Sequence, residues 1–204
     1  FNCKGNNMIL VQPKYLPSVN FFKDFHDNEI NIAMDLRCDD VNDINKTTLI
    51  NSTNSFDIKV PITIPKKDCY IKDIKIDFSN NWINSHIQSI QSSYGKYPYY
   101  IYYIDEIIDK IKTRHNFLVD LNHDLLTLIN KFLNFQTPIR LNNTKTINND
   151  KINRNERGYF DDKKLNIKDI RENFFRGKVF DYDICVIDLL FLKGPESGYY
   201  IRNF

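Results

Sequence analysis

The stretch Met8–Phe25, MILVQPKYLPSVNFFKDF, constrains the fold more than any other part of the chain. Met8, Ile9, Leu10 and Val11 form an apolar run of strand length. Gln12 and Pro13 end it, because proline offers no N–H to a sheet ladder and holds the residue before it extended. Pro17 can open a helix, where its missing N–H has no partner to lose. The stretch therefore predicts a buried strand, a polar turn between two prolines and the start of an amphipathic helix. A strand end that feeds a helix N-terminus is where open α/β sheets hold ligands. The plainer reading is a proline-rich turn between two core elements.

A chain of 204 residues with 42% hydrophobic residues can bury one core, and residues 1–204 read as a single domain. Residues 1–7 read as an N-terminal extension. The net charge of +2 argues against nucleic acid or an anionic membrane as the main partner. No apolar run approaches the ~20 residues of a membrane span, and no signal peptide is visible, so a cytoplasmic location is expected. The four cysteines (Cys3, Cys38, Cys69, Cys185) are scattered and read as reduced thiols. The four histidines (His26, His86, His115, His123) lack metal-site spacing with cysteine, so no structural zinc is expected. Nothing in the sequence asks for a cofactor.

The pattern along the chain predicts an α/β fold with a β-α-β opening and a small mixed sheet, followed by a helical second half. Glu29–Leu36 reads as a second strand, parallel to the first. Arg37–Thr48 is polar and aperiodic and reads as loop. Phe56–Ile64 and Tyr70–Phe78 alternate, and predict an antiparallel hairpin. Asn80 or Asn81 can cap a helix running to Ser93, with Ile83, Ile87, Ile90 and Tyr94 as its core stripe and Trp82 and His86 on the adjacent one. Gly95 ends it. A second helix follows Pro98 to about Lys112. A third runs from Asp120 to about Leu133, with Leu121, Leu125, Leu128 and Phe132 in register. Asn142–Arg157 is Asn-rich and reads as a mobile loop. Asp162–Phe175 reads as a short helix, and Asp183–Leu192 as a buried helix closed by Gly194 and Pro195. There is no Walker loop, no G-x-G-x-x-G and no G-x-S-x-G.

Several segments, in this order, resemble the WbqC-like protein family found in bacteria. They are VQPKYLPS (Val11–Ser18), IKDIKIDFSNNW (Ile71–Trp82) with His86, SSYGKYPYY (Ser92–Tyr100), FLVDLN (Phe117–Asn122) and IDLLFLKGPES (Ile187–Ser197). The chain departs from the family pattern at Ile44, where an arginine is usual, at Lys46, again usually arginine, at Ile101, usually glutamate, and at Cys185, usually serine. The resemblance implies a setting among genes for surface-polysaccharide and O-antigen synthesis, or for other small molecules, without fixing a reaction.

His86 is the best candidate for a catalytic residue, as a general base, because histidine titrates near neutrality and Trp82 lies one helical turn away as a stacking wall. The competing reading is a core histidine with protein partners. Gln12 and Tyr15 in the turn can meet a phosphate, a sugar hydroxyl or an acyl carbonyl. Asn45 and Lys46 can supply a donor and a cation. Tyr94 belongs to an aromatic run that can stack on a sugar or base, although aromatics at such spacing are more often core. Asp188, a carboxylate in an apolar helix, needs a partner, for which Lys46, Arg37 or a helix N-terminus are candidates. No nucleophile has an adjacent base, and Cys185 reads as inert. The expected function is a transferase taking an activated sugar or acyl donor in precursor synthesis. The alternative is a non-catalytic accessory or binding module with a biosynthetic protein partner, or a diverged remnant without chemistry.

Overall fold

The apolar run becomes strand β1 (Asn7–Val11), paired in parallel with β2 (Asn28–Ala33) so that Ile9 faces Ile30 and Val11 faces Ile32. This is a computed structural model, and it describes residues 7–23, 25, 28–37, 42–63, 70–143, 152–154 and 184–203. Both faces of these strands are covered, as a parallel sheet requires. Ile9, Val11, Ile30 and Ile32 join the main core, while Leu10 and Ala33 pack with Leu36 on the opposite face. Where a helix is expected between β1 and β2, the described residues form a short 3-10 turn, Asn20–Phe22. Its backbone is tied elsewhere: Val19 N–H donates to the Ile184 carbonyl at 2.8 Å, and Ser18 bridges to Cys185. Phe21, Phe22 and Phe25 are all buried, so the aromatics fill space on several sides instead of forming a helical stripe.

The stretch expected to be loop holds a one-turn helix α1 (Asn42–Asn45) and strand β3 (Lys46–Ile50). That strand pairs antiparallel with β4 (Ser55–Lys59), so the hairpin lies one segment earlier than expected. Asn51 closes it, its Oδ1 accepting from the backbone N–H groups of Thr53 at 2.9 Å and Asn54 at 2.7 Å, the local bonding that makes Asn a turn former. The expected partner, Tyr70–Phe78, contains a 3-10 turn at Ile71–Asp73 and, among the described residues, pairs with the chain after β4 through the Ile62–Ile76 bridge.

The second half is helical, with two added strands. Helix α2 (Trp82–Tyr94) buries Trp82, His86, Ile90 and Tyr94, whereas Ile83 and Ile87 are only half-buried. The buried face is thus one residue round from the expected stripe. Helix α3 (Tyr100–Lys112) buries Ile104, Ile107 and Ile111. Helix α4 (Leu118–Phe132) begins two residues before Asp120, where Leu118 N–H donates to the Ile74 carbonyl. Strands β5 (Ile139–Asn142) and β6 (Ile152–Arg154) were not anticipated; β6 falls in the stretch expected to be a mobile loop. They complete a parallel sheet in the order β5-β2-β1-β6. The expected helix at 162–175 lies outside the described residues. Helix α5 (Val186–Lys193) buries every residue from Val186 to Leu192, and α6 (Ser197–Arg202) follows. No helix among the described residues is long and apolar enough to cross a membrane.

Gly194 closes α5 at φ +55°, where a Cβ would stand 2.4 Å from Tyr99 Cδ1. Tyr99 cannot easily retreat, because its N–H donates to the Phe191 carbonyl. Gly194→Ala is expected to cost about 2 kcal/mol or more, from left-handed strain plus the clash. Chemical denaturation measures it, and an unchanged midpoint would contradict this account of the cap.

Candidate functional site

The turn after β1 is fastened from several directions. The Pro13 carbonyl accepts from Asn122 Nδ2 of α4 at 3.3 Å, and the same nitrogen donates to the Ile44 carbonyl at 2.8 Å. Tyr15 N–H also donates to Ile44, at 3.0 Å. The Leu16 carbonyl accepts from Thr47 Oγ1 at 2.7 Å and from Cys185 Sγ at 3.2 Å. The Pro17 carbonyl accepts from Val186 N–H at 2.9 Å. Leu16 sits at φ +41°, a left-handed conformation that costs a branched residue ~1–2 kcal/mol. Two hydrogen bonds to its own carbonyl and complete burial hold it there.

His86 reaches this turn from α2. Its Nε2 lies 3.1 Å from the Lys59 carbonyl at the end of β4, and its Nδ1 lies 2.9 Å from the Tyr15 hydroxyl. A carbonyl can only accept, so Nε2 carries the proton and Nδ1 accepts from the Tyr15 O–H. Trp82 meets the imidazole edge-on at 5.0 Å between centroids. Burial pushes the His86 pKa down to about 4, against the opposing pull of the Lys59 carbonyl. Burial, with a smaller contribution from Cys185, pushes the Tyr15 phenol well up. Both rings are therefore neutral at pH 7, and in this arrangement both imidazole nitrogens are taken up by the protein.

The other predicted site residues divide around this centre. Asn45 Nδ2 donates to the Val60 carbonyl at 2.9 Å, one residue beyond the His86 acceptor. Lys46 is half-exposed and pairs with Asp57 at 3.3 Å. The Thr48 hydroxyl, followed by Lys46, holds the Asp57 carboxyl below its usual range. Lys46 is thus engaged with Asp57 rather than with Asp188. Tyr94 is fully buried, two turns along α2 from His86, or ~12 Å along the helix axis. Its hydroxyl accepts from Ile50 N–H at 3.2 Å, and burial, then the nearby Asp188 charge, raises its pKa. Asp188 is fully buried in α5. Gln12 remains half-buried at the mouth of the turn.

Tyr15, Trp82 and His86 thus meet one another, Asn45 bonds one carbonyl along from the His86 acceptor, and Gln12 lies three residues before Tyr15 in the same turn. Lys46 lies on the hairpin's outer side, and Tyr94 and Asp188 form a second cluster. Sequence reasoning missed Asn122 and Thr47 as anchors. The signal for Asn122 was available, since it is an amide on the apolar face of α4, one turn after Leu118 and one turn before Leu126. Three buried polar atoms here have no protein partner among the described residues: Asn45 Oδ1, Asn122 Oδ1 and Trp82 Nε1. The orientation of each amide is fixed by carbonyls that can only accept, so both oxygens are the groups left over.

Two outcomes follow from the protonation of His86 and Tyr15. The folded-state pKa of His86 lies below its unfolded value near 6.5, so its full contribution is present above that pH and is lost as pH falls toward about 4. The acid-side loss is expected to total ~3 kcal/mol and to flatten in His86→Gln, as read by denaturant midpoints from pH 7 to 4. Tyr15→Phe leaves Nδ1 without its donor and is expected to cost about 1–3 kcal/mol while keeping the fold.

A family model described as the WbqC-like protein family matches residues 12–167. Comparison with curated proteins gave no match, and comparison with solved structures gave none. The family match begins at Gln12, spans the turn, the hairpin and α2 to α4, and covers more than half of the chain; the chain belongs to the WbqC-like protein family.

Proposed function

We propose that this WbqC-like chain binds an activated small-molecule precursor, a sugar or acyl donor, at the turn after β1, and works in the cytoplasm in the synthesis of surface polysaccharide or related small molecules. One observation carries this reading. A turn at the C-terminal end of a parallel strand is immobilised by α4, β3, α2 and α5 together, yet leaves Gln12 at its mouth. Such a fixed frame is what a binding site needs, because a ligand then loses little to ordering the protein. The unpaired Asn45 and Asn122 oxygens and the Trp82 N–H add unused hydrogen-bonding capacity beneath it.

In the transferase form of this reading, His86 is the general base that deprotonates the acceptor amine or hydroxyl. Its neutral state supplies the lone pair at Nδ1, and the Tyr15 hydroxyl must turn away before that lone pair meets an acceptor. A specific observation favours a second reading, a non-catalytic binding module: both imidazole nitrogens already have protein partners.

A thermal-shift screen with nucleotide sugars, acyl carriers and aminoacyl donors tests the binding claim. A ligand at a hundred times its Kd stabilises by about 2.7 kcal/mol, which for a chain of this size raises Tm by roughly 5–10 °C. No shift with any of the three classes would contradict it. Once a donor is found, His86→Ala separates the two readings. Turnover lost with donor binding retained marks the base, whereas unchanged turnover removes His86 from the chemistry.

A further inference from the structure

Helix α2 opens without a cap. The residue before it, Asn81, makes no side-chain hydrogen bond to the first turn. The first N–H groups of any helix lack a partner within it and carry the positive end of its dipole. In α2 the N–H groups of Trp82, Ile83 and Asn84 bond to no described residue, and the ladder starts with Ser85 N–H donating to the Asn81 carbonyl at 3.3 Å. No acidic side chain stands in the first turn to offset them. Asn80, Asn81, Asn84 and Ser85 are exposed, so this end of the helix is open.

A helix end alone is satisfied by water. Two side chains set this one apart. A helical side chain covers the turn N-terminal to its own Cα. For Trp82, the first residue of α2, that direction leads in front of the helix, and its ring stands 6.1 Å from the ring of Phe78, four residues earlier. Trp82 is only 6% exposed, yet its Nε1–H has no acceptor among the described residues. A buried donor of this kind calls for an acceptor. The second side chain is Arg114. Its guanidinium lies 5.7 Å from the centre of the same Phe78 ring and forms no ion pair with a described residue. Asp77, the neighbour of Phe78, has both carboxylate oxygens engaged by Ser79, which donates its N–H at 2.8 Å and its hydroxyl at 3.0 Å.

Backbone N–H groups, an indole N–H and a guanidinium can only donate, and the group that suits them together is an anion with several acceptor oxygens. We infer that the N-terminus of α2 binds an oxyanion, phosphate or carboxylate, held by the N–H groups of Ile83 and Asn84, the indole N–H of Trp82 and the guanidinium of Arg114. The site shares Trp82 with the reading above but takes nothing from the turn after β1, so the two can fail separately. It lies one helical turn before His86 on the same helix.

Trp82 is the single tryptophan of the chain, so one indole N–H resonance reports on it. The test is NMR titration of the full chain with inorganic phosphate and with acetate, each replacing chloride at constant ionic strength. One or both anions are expected to move the Trp82 indole N–H and the Ile83 and Asn84 amides together and saturably, and the tighter of the two tells a phosphate site from a carboxylate site. Arg114→Gln, a change at an exposed position, is expected to weaken binding about fivefold, whereas Lys131→Gln on α4 leaves it unchanged. Equal affinity in the parent and in Arg114→Gln would overturn the inference, as would a shift of the amides without the indole: either marks a bare helix end with an adventitious ion only. A shift of the indole without the amides, or no saturable response at these groups, overturns it as well.

Discussion

The contact on which the rest depends is the imidazole of His86 held between two acceptor and donor groups of different elements. Its Nε2–H reaches the Lys59 carbonyl at the end of the hairpin, and its Nδ1 takes the Tyr15 hydroxyl from the turn after β1. One neutral side chain on α2 thereby ties the parallel sheet's first turn to the antiparallel hairpin. Each bond is worth only about 1 kcal/mol net, but removing one partner leaves a buried polar atom unsatisfied, which costs more than the bond contributed. Neutrality is essential: a charged imidazole would bring a second N–H toward Tyr15 and would have to lose its hydration in a buried site.

That tie explains how the turn keeps an unfavourable backbone. Leu16 stays in the left-handed region because Thr47 and Cys185 hold its carbonyl and the residues on both sides are fixed separately. The same constraints make the turn a rigid platform at the C-terminal edge of a parallel sheet. Cys185 acts here as a buried hydrogen-bond donor, and Ile44 presents a carbonyl to Tyr15 and Asn122 while its side chain lies in the core.

What was legible in the sequence were the features that one element can express by itself. The apolar runs of β1 and β2, and the periodic face of α4, state their burial directly. The face of α2 was displaced because Trp82 and His86 look less apolar than Ile83 and Ile87. His86 is buried against Tyr15 and Lys59, which lie far away in the chain, and Trp82 packs against its ring and Phe78. Strand β3 was hidden for a related reason: Thr47 is buried by donating to the Leu16 carbonyl, which no local pattern reveals. Tyr15 and Tyr94 were expected to face a ligand, yet their hydroxyls have protein partners, so both rings turn inward. Strands β5 and β6 are short, and their pairing with β2 and β1 is a long-range fact.

The state of His86 is read most directly by 15N NMR of its ring nitrogens. The expected result is a neutral imidazole at pH 7, protonated on Nε2, that stays largely neutral at pH 5 in keeping with a pKa near about 4. A cationic ring at pH 7, or a proton resident on Nδ1 in the neutral form, would contradict the bridge between Tyr15 and Lys59.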